Sequence, residues 1–257
     1  RNVVARMNAG EQANNDAPVL IVGAHIDHLG TGGGGGSLAK DDERGQVHVG
    51  ADDNASGVAA MLEIAQYLAA EKKAGRLKSK RDLLVAAWSG EELGLFGSQA
   101  FADDFYKLYP DAPQPPETDE KSVDAVAHAH GTTTDATPLT AAIAAYMNLD
   151  MVGRLREKLV IQGIGSSPGF ASEVQRRNLP VGLELTLDKT STRLPTDASA
   201  FVARDVPILS AFTGAHEDYH TPRDTPDKLN YEGVADIARL FALIGRGFLT
   251  SSKAPDF

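Results

Sequence analysis

The sequence predicts an α/β fold: a single-domain α/β/α sandwich with a mixed, mostly parallel central sheet. Three observations carry this expectation. First, the continuous apolar runs PVLIVGAH (18–25) and DLLVAAWSG (82–90) are too short for buried helices and read as central strands covered on both faces. Second, the segment between them, SGVAAMLEIAQYLAAEKKAG (56–75), sets Val58, Met61, Leu62, Ala65 and Leu68 on one helical face. Its lysine-rich end is followed by Gly75, a helix stop, so the whole is a β-α-β unit. Third, the alternation continues down the chain. Strands are expected at AAYMNLDMV (144–152), KLVIQG (158–163), LELTLD (183–188) and PILSAFTG (207–214), and helices at 169–179, 197–204 and 231–249. The last helix places Val234, Ile237, Ala238, Leu240, Phe241 and Ile244 at helical spacing.

Two stretches interrupt this order. TGGGGGSLAKDDERG (31–45) is a flexible polar loop. The segment 109–138, rich in Pro, Thr, Asp and Ala, is too long for a plain connection and marks an insertion spanning about 103–143. It is expected near the site or as a mobile surface segment, not as a second domain, so 1–257 is read as one domain. His128 and His130 lie in it and are expected as a surface pair. The chain begins at Arg1 without a methionine, as expected of a mature or excised piece of a longer precursor.

Composition narrows the chemistry. An apolar fraction of 42% supports a full core. The net charge of −10 argues against a general binder of nucleic acid or anionic membranes. No run approaches the ~18 apolar residues of a membrane helix. The absence of cysteine excludes disulfides and thiolate metal sites, so any metal must be held by His, Asp or Glu. Cysteine content leaves the compartment open.

The stretch HEDYH (216–220) matches H-E-x-x-H, in which two histidines one helical turn apart bind zinc and the glutamate is the base. Its flanks oppose that reading. Gly214 follows an apolar strand, and Pro222 and Pro226 come directly after, so no amphipathic helix runs through the motif. One of its histidines remains a candidate ligand, in a loop.

In α/β sheets functional groups collect where strands end. Here the first strand ends in His25-Ile26-Asp27-His28, and the next helix is preceded by Asp52-Asp53-Asn54. Glu91-Glu92 follow the strand at 82–90, Asp150 sits in the apolar strand at 144–152, and His216 to His220 follow 207–214. Each has a plain alternative: a helix cap for Asp52 to Ser56, a solvated turn for the glutamates, a core histidine for His25. A carboxylate in an apolar strand must be paired or bind a cation. Carboxylates gathered this closely repel unless cations hold them, and histidines with carboxylates make a hard divalent site.

The stretches GAHIDHLG (23–30), GADDNASG (50–57), SGEELGLFGS (89–98), NLDMVGR (148–154) and DYHTPRDTPDKL (218–229), in this order, resemble those of the secreted di-zinc aminopeptidases of bacterial leucyl-aminopeptidase type. Glutamate carboxypeptidase II, the transferrin-receptor ectodomain and glutaminyl cyclases are relatives of that family. The resemblance implies a zinc exopeptidase domain, two Zn2+ ions, a peptide substrate with a free N-terminus and a secreted or periplasmic location. It implies His25 and Asp150 on one zinc, Glu92 and His220 on the other, and Asp52 bridging both. Glu91 is implied as general base, Asp27 as the carboxylate behind His25, and Tyr219 as a hydrogen-bond donor to the reaction intermediate. His216 is not expected to bind metal nor Glu217 to act as base, and Asp52–Asp53 is the expected site of a cis peptide. A carboxypeptidase, a single-zinc cyclase and a receptor-like binding module are the alternatives. The first would need Arg154, Arg193 or Arg223 to grip a carboxylate, whereas these are expected as solvated surface charges.

Overall fold

The structure, a computed structural model, describes residues 1–10, 17–115, 136–190 and 194–257. The strands are β1 (Val3–Met7), β2 (Val19–His25), β3 (Leu83–Trp88), β4 (Ile143–Leu149), β5 (Leu159–Gln162), β6 (Leu185–Leu187) and β7 (Ile208–Phe212). Among the described residues these seven form one sheet in the order β1-β3-β2-β4-β7-β5-β6. The middle four, β3, β2, β4 and β7, are mutually parallel. The edge is antiparallel at β1 against β3, and the direction reverses again between β7 and β5. The sheet is therefore mixed with a parallel centre, as the apolar runs predicted.

Side-chain alternation divides the core in two. On β2, Leu20, Val22 and Ala24 face the helices α1 (Gly57–Lys73), α4 (Phe170–Asn178) and α6 (Tyr231–Thr250). Ile21 faces the other way, with Trp88 and Tyr146, against α2 (Phe96–Asp103), α3 (Phe105–Leu108) and α5 (Ala198–Val202). Both faces of the sheet are thus covered by helices, which completes the α/β/α arrangement. The strands and helices expected from periodicity are present, with ends shifted by a few residues.

Helices α2 and α3 were not expected. Their apolar contacts, Phe101 and Phe105, are buried, but the segment opens with Gly90, Gly94 and the left-handed Leu95 (φ 63°), and Leu93 and Phe96 are exposed. The glycine-rich entry hides the helical period. The described parts of the 103–143 insertion include α3 and the start of β4; His128, His130 and Arg193 lie outside the described residues.

Because the four central strands are parallel, their carboxyl ends lie at one edge of the sheet. Beneath that edge a hydrogen-bonded chain crosses three strands. Trp88 Nε1 donates to the Tyr146 hydroxyl (2.9 Å), which donates to Asn148 Oδ1 (2.7 Å), and Asn148 Nδ2 donates to Ser210 Oγ (3.2 Å). Phe201 of α5 stacks on Tyr146 at 4.1 Å between ring centroids. A satisfied polar chain in an apolar layer stiffens the floor on which the loops stand.

Candidate metal centre

His25 is the last residue of β2 and is 2% exposed. Its Nδ1 donates to the Asp27 carbonyl at 3.0 Å, which orients the ring and turns Nε2 toward the neighbouring carboxylates. Nε2 stands 3.1 Å from Asp53 Oδ1 and 3.4 Å from Asp150 Oδ1. Asp150 follows the last residue of β4, the strand beside β2.

His220 repeats this arrangement from a loop. Its backbone is left-handed (φ 55°), and its Nδ1 donates to the carbonyl of Gly36 at 2.8 Å. The glycine-rich loop therefore sets which ring nitrogen is turned toward the carboxylates. His220 Nε2 stands 3.2 Å from Asp53 Oδ2 and 3.1 Å from Glu92 Oε2. Burial disfavours charge on this imidazole, but the bonds to Asp53 and Glu92 outweigh it and push it up to about 10.

Asp53, not Asp52, joins the two halves, one oxygen toward each. This corrects the expectation by one residue, and the cis peptide likewise falls at Asp53–Asn54. Asp52 is turned away: Oδ1 accepts from Gly153 N (2.6 Å) and Ser56 Oγ (3.1 Å), and Oδ2 lies 3.1 Å from His216 Nε2. The reason is local. The helical turn Ala51–Ser56 breaks at Asp53 (φ −108°, ψ 90°) and Asn54 (φ −135°, ψ 39°), so the Asp52 and Asp53 side chains leave the backbone in different directions. Asp224 clamps this turn, accepting from Asp52 N (2.8 Å) and Asp53 N (3.0 Å). His216 belongs to the Asp52 network and stands apart from the centre.

Asp27 also departs in detail. Its carboxylate accepts from the backbone amides of Glu91 (3.1 Å) and Glu92 (3.2 Å). Only its carbonyl takes the His25 ring N–H, while its Oδ1 is 4.0 Å from that nitrogen. It fixes the glutamate turn more directly than it fixes the imidazole. Burial pushes Glu91 up to about 8, with His25 opposing and Asp150, Asp197 and Glu92 adding to the shift. Cations beside it would draw that value down.

Tyr219 stacks on His220 at 3.8 Å between centroids. Burial, then Asp53 and Glu92, raise its phenol, so it remains a donor at neutral pH. Glu91, Asp150, Tyr219 and His220 line one cavity of about 200 Å³, whose wall also includes Gln162 and Phe212.

Two participants escaped the sequence. His28 Nδ1 lies 2.7 Å from Glu92 Oε1; the signal was its place three residues after His25, past the strand end. Asp197 is 1% exposed at the start of α5, and burial pushes it up to about 7, opposed by Ser98 and His25 and aided by Asp150 and Asp27. It follows no strand and carried no signal. Arg154 was expected in solvent but is buried, 3.3 Å from Asp218 and 3.0 Å from Asp224. Arg223 pairs with Glu43 and Asp218.

The donors suit a divalent metal. Bonds of about 2.0–2.1 Å in a tetrahedral site place ligand atoms roughly 3.3 Å apart. The separations about His25 and His220 are 3.1, 3.4, 3.2 and 3.1 Å. His25, Asp53 and Asp150 form one possible ion-binding trio, and His28, Asp53 and Glu92 another, sharing Asp53.

A model of peptidase family M28 matches residues 2–244. Leucine aminopeptidase 2 of Arthroderma otae is 23% identical over 287 residues, covering 98% of this chain and 47% of that protein. Aminopeptidase NAALADL1 of Rattus norvegicus is 42% identical over 59 residues, covering 23% of this chain and 8% of that protein. The fold is that of BSAP, a zinc aminopeptidase from Bacillus subtilis, with a TM-score of 0.65 at 19% identity, covering 99% of this chain and 52% of that one. The chain thus spans about half the length, or less, of these relatives.

Proposed function

This chain belongs to peptidase family M28, and we propose that it is a metallo-aminopeptidase that releases N-terminal residues from peptides. The observation that carries the reading is Asp53, which offers one oxygen to the His25 group and the other to the His220 group. His25, Asp53 and Asp150 would hold one zinc ion; Asp53, Glu92 and His220 would hold a second. Bound there, the ions supply Lewis-acid polarisation of the substrate carbonyl and acidify water.

The protein groups do the rest. Glu91 accepts a proton from the attacking water and returns it to the leaving amine. The Tyr219 hydroxyl, kept protonated by its surroundings, donates to the oxygen that becomes negative as the carbonyl is attacked. Asp27 fixes the backbone of both glutamates, so the base and its neighbouring ligand keep their separate directions. Asp197, buried beside this network, adds to the negative field that keeps the Glu91 proton affinity high.

An aminopeptidase is favoured over a carboxypeptidase by the cavity lining. Among the described residues no lysine or arginine lines it, so the lining holds no cationic side chain to grip a substrate carboxylate. Arg154 is occupied by Asp218 and Asp224. The names of the Arthroderma otae, rat and Bacillus subtilis relatives support the same choice. We read 1–257 as one catalytic domain and place its work in a secreted or periplasmic setting. No helix among the described residues is long and apolar enough to cross a membrane.

The test is a panel of free-amine, blocked-amine and N-terminal glutaminyl peptides, with chelator and with zinc restored. Zinc-dependent release of the first residue from free-amine peptides alone is the expected result. Cleavage of blocked peptides, or cyclisation of glutaminyl ones, would overturn it.

A further inference from the structure

We propose that His28 is a positioning residue for Glu92, pinning one carboxylate oxygen so that the other alone is presented to the metal beside His220. The inference rests on the metallopeptidase reading above and concerns a side chain that none of the expected roles includes. Glu92 has two oxygens with different tasks. Oε2 faces His220 Nε2 at 3.1 Å, and Oε1 takes a bond from His28 Nδ1 at 2.7 Å.

The acceptor is a carboxylate, so the His28 nitrogen facing it, Nδ1, donates, and Nε2 takes no part in this bond. That Nε2 is buried and has no hydrogen-bond partner among the described residues. Only one edge of the ring is therefore engaged, and it is the edge that faces Glu92.

The ring is locked by its neighbours. A Cβ on Gly50 would come within 2.7 Å of its Cγ and Cδ2, so glycine at 50 lets the backbone lie against it. The His220 ring stands edge-on at 5.9 Å and His48 lies at 6.3 Å. His48 is in turn tied to Ser37 at 2.8 Å. The imidazole has little freedom to leave Glu92.

A carboxylate on a loop can swing, or clamp an ion with both oxygens. Holding Oε1 removes both options and leaves coordination space at that ion for substrate. Partners that hydrogen-bond a ligand in this way typically change metal affinity about 10–100-fold when lost. Because His28 also falls into a possible ion-binding trio with Asp53 and Glu92, direct ligation is the competing role.

Two isosteric substitutions separate these roles. His28→Asn keeps an amide N–H near the position of Nδ1; His28→Gln moves it to the position of Nε2 and leaves Oε1 without its donor. Both variants are freed of metal, checked for folding by thermal melting, and titrated with zinc and with cobalt(II), following heat and visible absorption. kcat and KM are measured alongside. The expected result is that His28→Asn retains wild-type affinity for both ions. His28→Gln should bind one ion normally and the other about 10–100-fold more weakly. Two outcomes overturn the proposal: wild-type affinities in both variants, or outright loss of one ion in both, which would make His28 a ligand. A wild-type protein that binds no divalent ion is a distinct outcome, sinking the metallopeptidase reading itself and this role with it.

Discussion

The two halves of the centre are built from different materials. His25 and Asp150 stand at the ends of β2 and β4, strands hydrogen-bonded to one another, so the sheet itself fixes their spacing. Glu92 and His220 stand in loops and are held by three further groups: the Gly36 carbonyl, the Asp27 carboxylate and the His28 ring. A ligand on a strand inherits its precision from the backbone ladder; a ligand on a loop needs supporting contacts. The half around His220 should therefore hold its ion more weakly and respond more to distant substitutions.

Glu91→Gln gives the largest effect. It touches neither half's ligand set, so two ions should remain by calorimetric titration while turnover falls about 10²–10⁴-fold, the range for a general base. If Glu217→Gln were the damaging change instead, the reading of HEDYH as an H-E-x-x-H zinc motif would return. Next come the halves themselves. His220→Ala should bind one ion tightly, whereas Asp53→Asn should weaken both, because Asp53 is common to the two. A protein in which Asp53→Asn lost only one ion would break the symmetry described here.

Asp52→Ala is the contrasting neighbour. Metal stoichiometry should stay at two, but the Gly153 amide loses its carboxylate acceptor inside the protein. Leaving such a group unsatisfied costs about 1–3 kcal/mol, readable as a lower melting temperature. Loss of a metal ion in this variant would return the bridging role to Asp52.

The smallest effect is on pH dependence with chelator present. His220 is pushed up to about 10, Glu91 to about 8 and Asp197 to about 7. A group with a raised native pKa binds its proton more tightly when folded. Its stabilisation is complete below the unfolded pKa and is lost as pH rises through the folded one. The melting temperature of the chelated protein should therefore decline between about pH 6 and 9. Zinc, which binds the deprotonated ligands, should flatten or reverse that decline. A chelated protein that gained stability over this interval would show that these groups do not meet as described.

Much of this was legible in the sequence, and the misses have physical causes. The parallel centre followed from apolar runs such as PVLIVGAH, because a strand buried on both faces shows no alternation. The gathering of His25, the Glu91-Glu92 pair, Asp150 and the stretch 216–220 followed from their places at strand ends, whereas the choice of Glu92 and His220 within them was implied by the family resemblance. Asp52 and Asp53 are adjacent acids in a turn, and which one faces the centre depends on dihedral angles that residue type does not encode. His28 reads as an ordinary loop histidine until the fold brings Glu92 to it. Arg154 looked like surface charge because its partners, Asp218 and Asp224, are more than sixty residues away in the chain.

Trp88, at one end of the polar chain under the sheet edge, is fully buried and is the only tryptophan in the sequence. It sits in register opposite His25. All of the protein's indole emission therefore arises one strand away from the first histidine of the centre. Steady-state fluorescence, with cobalt(II) as a quencher, can follow occupancy of the His25 half in unlabelled protein during the same titrations that count the ions.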